Sequence, residues 1–320
     1  MKKVYLSAQF PQVALDELRQ NNLEFASYTG EGLISHAELL RQVADVDYLI
    51  TTLSTQVDQE IIDAAPKLKL IANFGAGFNN IDTAYAKTKG IQVTNTPAVS
   101  TNSVTEVTMG LMLALSHRMV EGDKLMRTKG FAGWAPLFFL GHEIAGKQLG
   151  IVGLGSIGKE VANRANAMGM SVTYYGPHPL AAEDAKRLNV HYLPLEELIK
   201  TSDFISINAP GTPQTHHMFD AAAFDNMKDT AYLINVGRGP IVDEAALLPA
   251  LKAGKLAGAA LDVYENEPEV DDGFKALDNV ILVPHIGNAT VEARNAMANI
   301  VAHNVVLLDQ GQAPKFVVNA

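Results

Sequence analysis

Residues 148–158 read Gln-Leu-Gly-Ile-Val-Gly-Leu-Gly-Ser-Ile-Gly, an apolar run that ends in a Gly-x-Gly-x-x-Gly pattern. The stretch that follows, 157–168, is typical of a helix. In such a strand–turn–helix unit Gly153 permits the tight turn, Gly155 lets the backbone approach a pyrophosphate, and Gly158 lets the helix pack against the strand. Free N–H groups and the positive dipole at the helix start attract the phosphates. The pattern predicts a dinucleotide-binding α/β domain with these cofactor ligands: Gly153, Gly155, Ser156, Ile157 and Gly158.

The strand after this motif bears on the choice of coenzyme. An acidic residue about 20 positions after the glycines usually holds the ribose 2′-hydroxyl of NAD. Here the strand ends in Tyr175-Gly176-Pro177-His178, so Gly176 stands where the acid is expected. A 2′-phosphate is then not repelled, yet His178 is the only nearby basic residue. Gly176-Pro177 also suits an ordinary turn. We favour acceptance of NADP and leave NAD open.

Short apolar runs typical of strands alternate with amphipathic stretches along the whole chain. Strands are predicted at 3–8, 48–52, 70–73 and 92–95, and again at 148–153, 171–175, 204–208, 231–236, 258–263 and 280–284. A last predicted helix, 290–308, has no strand after it, so we expect it to return to the first unit. The pattern predicts an α/β protein with two Rossmann-like, doubly wound parallel-sheet domains. Residues 1–99 plus 290–320 would bind substrate and 100–289 the dinucleotide, with the active site in the cleft between them.

Composition excludes several function classes. The 320 residues suit two domains, and the absence of cysteine excludes disulfides and thiol nucleophiles. No residues have metal-ligand spacing, so no metal is expected. A net charge of −10 argues against a surface for nucleic acid or anionic membranes. The N-terminus lacks the apolar region of a secretory signal, and no apolar run approaches the ~20 residues of a membrane span. We therefore expect a soluble, cytoplasmic protein.

Three predicted strands of the second domain end in titratable side chains. Arg238 lies in Asn-Val-Gly-Arg-Gly, Glu265 and Glu267 lie in Tyr-Glu-Asn-Glu-Pro, and His285 lies in Pro-His-Ile-Gly. Ligands of open α/β sheets bind at the carboxyl ends of strands, so these side chains can converge on one site. Spacing alone does not separate Glu265 from Glu267 as the acidic member.

In combination, order and spacing, these segments resemble the D-isomer-specific 2-hydroxyacid dehydrogenase family over essentially the whole chain. The resemblance is greatest to its glyoxylate/hydroxypyruvate reductase branch. It implies that Arg238, Glu267 and His285 are catalytic and that Asp262 binds the nicotinamide carboxamide. It also implies NAD or NADP as cofactor and a small 2-keto acid as substrate, reduced to the D-2-hydroxy acid. The remaining candidate cofactor residues are Gly176, His178, Ala209, Pro210, Thr215, Val236, Gly237 and Gly287.

The chemistry of keto-acid reduction explains these residue types. Hydride reaches the carbonyl carbon, and the carbonyl oxygen must receive a proton. A histidine suits this step because its ordinary pKa is ~6.5, and an adjacent carboxylate such as Glu267 favours its charged form. The planar guanidinium of Arg238 can hold the carboxylate and carbonyl oxygens of the substrate and stays charged throughout.

The first domain carries candidate substrate ligands. Asn73-Phe74-Gly75-Ala76-Gly77 follows a predicted strand, and its N–H groups can bind a carboxylate. The resemblance implies this role for Ala76 and Gly77, and places Ser54 near the substrate. The apolar stretch 130–140 holds the only tryptophan, Trp134, which core packing alone would also explain. By similarity to the reductase branch, it is expected to form a homodimer interface and to reach a neighbouring active site.

Two alternatives remain open from the sequence. One is a relative of the same family with another substrate, such as D-lactate or 3-phosphoglycerate. The other is a non-catalytic NAD(H) sensor that binds partner proteins. The chain lacks the extended tails expected of such a sensor, which favours the enzyme.

Overall fold

A computed structural model describes residues 2–320 of the chain. They form two compact units, one comprising residues 2–100 with Thr290–Ala320 and the other comprising Thr101–Ala289. We refer to them as unit 1 and unit 2. No helix in the described part of the chain combines the length and apolar character needed to cross a membrane.

Unit 1 is a five-stranded parallel sheet between two layers of helices. Its strands are β1 (Lys3–Leu6), β2 (Glu24–Ser27), β3 (Tyr48–Thr52), β4 (Leu70–Phe74) and β5 (Gln92–Thr94), in the spatial order β2-β1-β3-β4-β5. One face packs on α1 (Gln12–Gln20) and on the last helix of the chain, α13 (Val291–Asp309). The other face packs on α2 (His36–Val43), α3 (Gln59–Asp63) and α4 (Thr83–Thr88).

Unit 2 is a seven-stranded parallel sheet in the order β12-β11-β10-β9-β6-β7-β8. Its strands are β6 (Gln148–Val152), β7 (Ser171–Tyr175), β8 (His191–Tyr192), β9 (Phe204–Ile207), β10 (Tyr232–Asn235), β11 (Gly258–Leu261) and β12 (Val280–Leu282). Its helices are α5 (Thr101–Ser116), α6 (Met119–Thr128), α7 (Ser156–Ala167), α8 (Ala182–Leu188), α9 (Leu195–Thr201), α10 (Ala221–Asn226), α11 (Glu244–Lys252) and α12 (Asp272–Lys275). The strand order reverses at β6, where ligands of such sheets bind.

The central strands explain why the α/β pattern is readable in the sequence. Every residue of β4, β9 and β11 is buried, as expected for parallel strands covered on both faces. The predicted doubly wound fold of both units is confirmed. Two edge strands lack such a run and were not predicted. Residues of β2 alternate between exposed and half-buried, and β8 is only two exposed residues long.

Candidate active site

The glycine turn between β6 and α7 leaves open space and free donors. Gly153 has a φ of +95°, and a Cβ there would lie 2.7 Å from the backbone of Ala209. A Cβ on Gly158 would lie 2.3 Å from the carbonyl oxygen of Gly153. At Gly155, by contrast, a Cβ would meet nothing within 4 Å, and no side chain caps α7. Three N–H groups of the first turn have no acceptor within residues 2–320, those of Ser156, Ile157 and Gly158. This turn fits the pyrophosphate of a dinucleotide.

The other candidate coenzyme residues of unit 2 lie at the same edge of the sheet, just beyond the strand ends. Half-buried Gly176 follows β7, and exposed His178 lies two residues further along. Pro210 follows β9, and its carbonyl oxygen accepts a hydrogen bond of 2.8 Å from the hydroxyl of Thr215. Gly237 follows β10. Because β6 pairs with both β7 and β9, and β9 pairs with β10, these loops lie beside the glycine turn.

Arg238 leaves the end of β10 in an extended conformation that its neighbours hold. The amide of Asn235 donates to the carbonyl oxygen of Arg238 over 3.1 Å and accepts from the N–H of Gly237 over 3.1 Å. A Cβ on Gly211 would lie 3.2 Å from Cγ of Arg238, so the glycine makes room for the arginine stem. Burial lowers the pKa of Arg238, and the charge of Glu267 opposes that effect. An arginine so placed stays cationic at neutral pH.

Gly239, the residue after Arg238, is where two loops of unit 2 cross. A Cβ built on Gly239 would lie 1.9 Å from the carbonyl carbon and oxygen of Tyr264 and 2.5 Å from the nitrogen of Glu265. Only glycine lets the two backbones approach this closely. The crossing therefore brings the segment that carries Glu267 next to Arg238.

Gly239→Ala is expected to destabilise the protein, because the atoms that block the added methyl group are backbone atoms that cannot rotate away. Overpacking of this kind costs roughly 1–3 kcal/mol, which corresponds to a fall in Tm of roughly 2–12 °C. Thermal unfolding monitored by circular dichroism measures the fall. Gly110→Ala is the matched control, since a Cβ there meets nothing within 4 Å. Equal Tm values for the two variants would contradict the close crossing.

His285 and Glu267 form a direct pair. Nδ1 of His285 lies 2.8 Å from Oε2 of Glu267, while Oε1 of Glu267 accepts a hydrogen bond of 3.0 Å from the N–H of Tyr264. Burial acts to raise the pKa of Glu267, but the hydrogen bond and charge of His285, helped by Tyr264 and Arg238, outweigh it and lower that pKa. The other ring nitrogen of His285, Nε2, has no protein partner among residues 2–320. It is free to act on a ligand.

A buried carboxylate fixes the backbone on the far side of His285. Asp262 is 1 % exposed, and its two oxygens accept from the N–H groups of Ile286 over 2.6 Å and Gly287 over 2.8 Å. Burial raises the pKa of Asp262, although both hydrogen bonds act in the opposite direction. Each oxygen retains a second lone pair, so a carboxamide donor remains possible there. Asp262 therefore positions the residues that follow His285.

The structure separates the two glutamates that spacing left open. Glu265 does not contact His285 but binds His217, whose Nε2 lies 2.5 Å from Oε1 of Glu265. That hydrogen bond raises the pKa of His217 above its ordinary value. Asp243 lies on the other side of the ring, and one potential ligand atom from each of His217, Asp243 and Glu265 falls within 4.8 Å of the others. Through His217, this cluster connects the loop that carries Glu265 with the one that carries Asp243. No spacing pattern in the sequence indicated it.

In unit 1, residues 75–78 form a loop after β4 whose peptide planes are anchored through their carbonyl oxygens. The oxygen of Gly75 accepts from the N–H of Thr96 over 2.9 Å, that of Ala76 from the amide of Asn95 over 2.7 Å, and that of Gly77 from the amide of Asn73 over 2.7 Å. In a trans peptide the next N–H points the opposite way. The following N–H groups, all without an acceptor among residues 2–320, are those of Ala76, Gly77 and Phe78. Such a row of donors suits an anion.

The two anchoring asparagines were missed by sequence reasoning. Asn73 is fully buried, with its oxygen accepting from the hydroxyl of Thr51 over 2.9 Å. A buried polar residue at the end of an apolar strand was the available signal, because such a side chain needs hydrogen-bond partners. The other substrate candidates lie on the surface: Ser54 is exposed in the turn after β3, and Trp134 is 84 % exposed.

Comparison with known proteins gives a single family. Residues 109–287 match the family model described as D-isomer specific 2-hydroxyacid dehydrogenase, NAD binding domain. A Staphylococcus haemolyticus protein that its name assigns to the 2-hydroxyacid dehydrogenases is 53% identical over 319 residues, 100% of both chains. An NADPH-dependent glyoxylate/hydroxypyruvate reductase from Sinorhizobium meliloti, solved with NADP and malonate, is 31% identical with a TM-score of 0.83, over 99% of this chain and 97% of that one. A D-lactate dehydrogenase from Aquifex aeolicus, solved with NAD and lactic acid, is 30% identical with a TM-score of 0.86, over 100% and 99% of the two chains.

Proposed function

The chain belongs to the D-isomer specific 2-hydroxyacid dehydrogenase family, and we propose that it reduces a small 2-keto acid, glyoxylate or hydroxypyruvate first, to the D-2-hydroxy acid. Membership makes it an oxidoreductase that acts on CH–OH donors with a nicotinamide coenzyme. The observation that carries the proposed reaction is the pairing of His285 with Glu267 beside Arg238 in unit 2. This arrangement combines a proton donor, its partner carboxylate and a half-buried cation.

The residues of this chain would act as follows. The first turn of α7 binds the coenzyme pyrophosphate, and Asp262 accepts from the carboxamide. When bound, the reduced nicotinamide supplies hydride to the carbonyl carbon of the keto acid. In unit 2, Arg238 binds the substrate carboxylate and carbonyl oxygen. In unit 1, the N–H groups of Ala76 and Gly77 are the candidate donors for a carboxylate. His285 donates the proton on Nε2 to the carbonyl oxygen, while Glu267 on Nδ1 stabilises the imidazolium and fixes the ring. Solvent then reprotonates His285.

The proposed reaction is tested by the loss of reduced-nicotinamide absorbance. The purified chain is mixed with NADH or NADPH and, in separate runs, with glyoxylate, hydroxypyruvate, pyruvate and 3-phosphohydroxypyruvate. We expect the highest kcat/KM with glyoxylate or hydroxypyruvate. Highest activity with pyruvate would instead favour a D-lactate dehydrogenase, the activity of one structural neighbour. Absence of turnover with all four acids would contradict the proposal.

We propose further that the chain accepts NADPH, because Gly176 leaves the end of β7 without a carboxylate. A Cβ at Gly176 would meet nothing within 4 Å, so a larger side chain fits there. Gly176→Asp is expected to lower kcat/KM for NADPH relative to NADH by roughly 10- to 100-fold. The new carboxylate repels the 2′-phosphate and binds the free 2′-hydroxyl. Parallel kinetics with both coenzymes measure the ratio, and Gly176→Asn controls for side-chain size without charge. If the ratio of kcat/KM for NADPH to that for NADH is unchanged in Gly176→Asp, residues other than Gly176 determine the coenzyme preference.

We also propose a homodimer formed through the apolar segment, residues 119–140. Eight large apolar side chains there are at least 45 % exposed: Met119, Val120, Met126, Phe131, Trp134, Leu137, Phe138 and Leu140. Apolar patches of this extent usually mark an interface. Sedimentation velocity is expected to show a dimer of the 34.4 kDa chain and mainly monomer for Leu137→Asp. Leu33→Asp, at another exposed leucine, is the control. A dimer that persists in Leu137→Asp, or a wild-type monomer, would contradict the proposal.

A further inference from the structure

Arg294 lies at a position where its positive charge does not stabilise its own helix, α13. It is the fourth residue of α13, just after the cap at Thr290. The start of a helix carries partial positive charge, so a cation in this first turn is unfavourable to the helix. The acidic residue there, Glu292, has the favourable sign. A second reason is therefore needed for an arginine at this position.

The guanidinium of Arg294 also has no partner of opposite charge. Its carbon lies 5.6 Å from the centroid of the Phe74 ring, and no side-chain hydrogen bond or ion pair joins it to any other residue of 2–320. Burial lowers the pKa of Arg294, and no carboxylate counteracts that effect. Arg19 in the same unit also lies over a ring, that of Phe25, but it is paired with Asp16 over 3.0 Å. Arg294 thus holds five donors in a half-buried position, without an acceptor from residues 2–320 and within reach of solvent.

The ring beneath Arg294 belongs to Phe74, the residue that immediately precedes the loop 75–78 in unit 1. Phe74 is 5 % exposed, and Phe10 packs edge-on against it with a centroid distance of 5.1 Å. The next residues along the chain form the loop 75–78, in which the N–H groups of Ala76, Gly77 and Phe78 have no acceptor among residues 2–320. The carbonyl oxygens that precede them are held by Thr96, Asn95 and Asn73. A cation fixed on this ring adds positive charge to that row of donors. For a chain with a net charge of −10, such local charge is what draws an anionic ligand.

We infer that Arg294 is a substrate-binding residue that supplies the positive charge of a carboxylate site in unit 1, together with the N–H groups of Ala76, Gly77 and Phe78. The inference rests on the proposed function in one respect, namely that the carboxylate belongs to a 2-keto acid. The ligand class itself is a small carboxylate. Its arrival gives Arg294 the acceptor that the protein does not provide.

The first test compares wild type, Arg294→Gln, Arg294→Lys and the matched control Arg19→Gln in the glyoxylate assay. We expect Arg294→Gln to raise KM for glyoxylate roughly 10- to 100-fold, the effect of one charge-assisted hydrogen bond. Its kcat and its KM for the coenzyme should change less than about threefold. Arg294→Lys keeps the charge but lacks the planar guanidinium, so its KM for glyoxylate should lie between those of wild type and Arg294→Gln. A KM within twofold of wild type in Arg294→Gln would overturn the inference.

A second readout does not depend on turnover. Malonate is titrated into the coenzyme-loaded protein while Tm is recorded, and the half-saturating concentration is compared between variants. We expect it to rise in Arg294→Gln by about the same factor as KM, and to stay unchanged in Arg19→Gln. If wild type shows no turnover but Arg294→Gln still weakens malonate binding, the proposed reaction fails and the carboxylate site stands. If malonate binds both proteins equally, Arg294 only packs on Phe74. If Arg294→Gln does not fold, the KM for glyoxylate and the half-saturating malonate concentration of Arg294→Lys are compared with those of wild type instead.

Discussion

His285→Asn is expected to lower kcat for keto-acid reduction by roughly 10²- to 10⁴-fold, the contribution of a positioned general acid. The variant removes Nε2, the ring nitrogen without a partner among residues 2–320, and so removes the proposed proton donor. Its amide nitrogen can still donate to Glu267 from near the position of Nδ1, which lies 2.8 Å from that carboxylate in the native protein. His285 has a φ of +52°, a left-handed conformation that asparagine tolerates better than most residues. The backbone should therefore survive the change.

The His285→Asn experiment separates chemistry from binding. Single-turnover rates give the chemical step, and coenzyme fluorescence gives the dissociation constant for NADH, which should stay within about twofold of wild type. Glu267→Gln should also lower kcat, though less, because the histidine keeps a hydrogen-bond partner but loses the charge. The matched control is Glu265→Gln, since Glu265 binds His217 instead. Loss of coenzyme binding in His285→Asn, or equal effects of the two glutamate variants, would contradict the assigned roles.

The parts of this protein that could be predicted from sequence are those with a strong local cause. Residues 149–152 are buried and apolar, and the glycines at 153, 155 and 158 each meet a steric or electrostatic demand of the turn that follows. The central strands, buried on both faces, read as apolar runs. Edge strand β2, Glu24–Ser27, has one face in water and a single large apolar residue, so no run marks it. Most of the helices that cover the sheets are under ten residues long, which leaves few turns over which a helical period can be recognised in the sequence.

Site residues in distinctive local segments could be predicted from the sequence, whereas the contacts between segments distant in the chain could not. Arg238, Glu267 and His285 could be named because each follows a strand in a distinctive segment. Spacing alone left Glu265 and Glu267 open, and only the resemblance favoured Glu267. The contacts of Glu267 with His285 and of Glu265 with His217 depend on segments distant in sequence, as does the crossing of two segments 25 residues apart at Gly239. The anchoring of loop 75–78 by Asn95 depends on a strand that follows later in the chain. Such pairings are set by tertiary packing, and neither propensity nor spacing reports them.

Arg238→Gln is expected to lower kcat/KM by roughly 10²- to 10⁴-fold, because the variant loses both the charge and the two-pronged contact that we propose Arg238 makes with the substrate. Two charge-assisted hydrogen bonds at about 1.5–3 kcal/mol each account for this range. Arg238→Lys should keep part of the affinity and raise KM more than it lowers kcat, since a lysine bears charge without the fork. Steady-state kinetics with glyoxylate measure both effects. Arg41→Gln, an exposed arginine paired with Glu38, is the control for the loss of a cation.

The pH dependence of Arg238→Gln tests the same assignment through Glu267. The charge of Arg238 is one of the causes that hold the pKa of Glu267 below its ordinary value. In the proposed mechanism Glu267 acts as a carboxylate, so activity should be lost as pH falls through that pKa. Removing Arg238 raises the pKa, and the acid limb of the kcat/KM profile should therefore move to higher pH in the variant. An acid limb at the same pH would mean that Arg238 does not act on Glu267. A normal KM in Arg238→Gln would exclude it from substrate binding, because a guanidinium that grips the keto acid cannot be removed without loss of affinity.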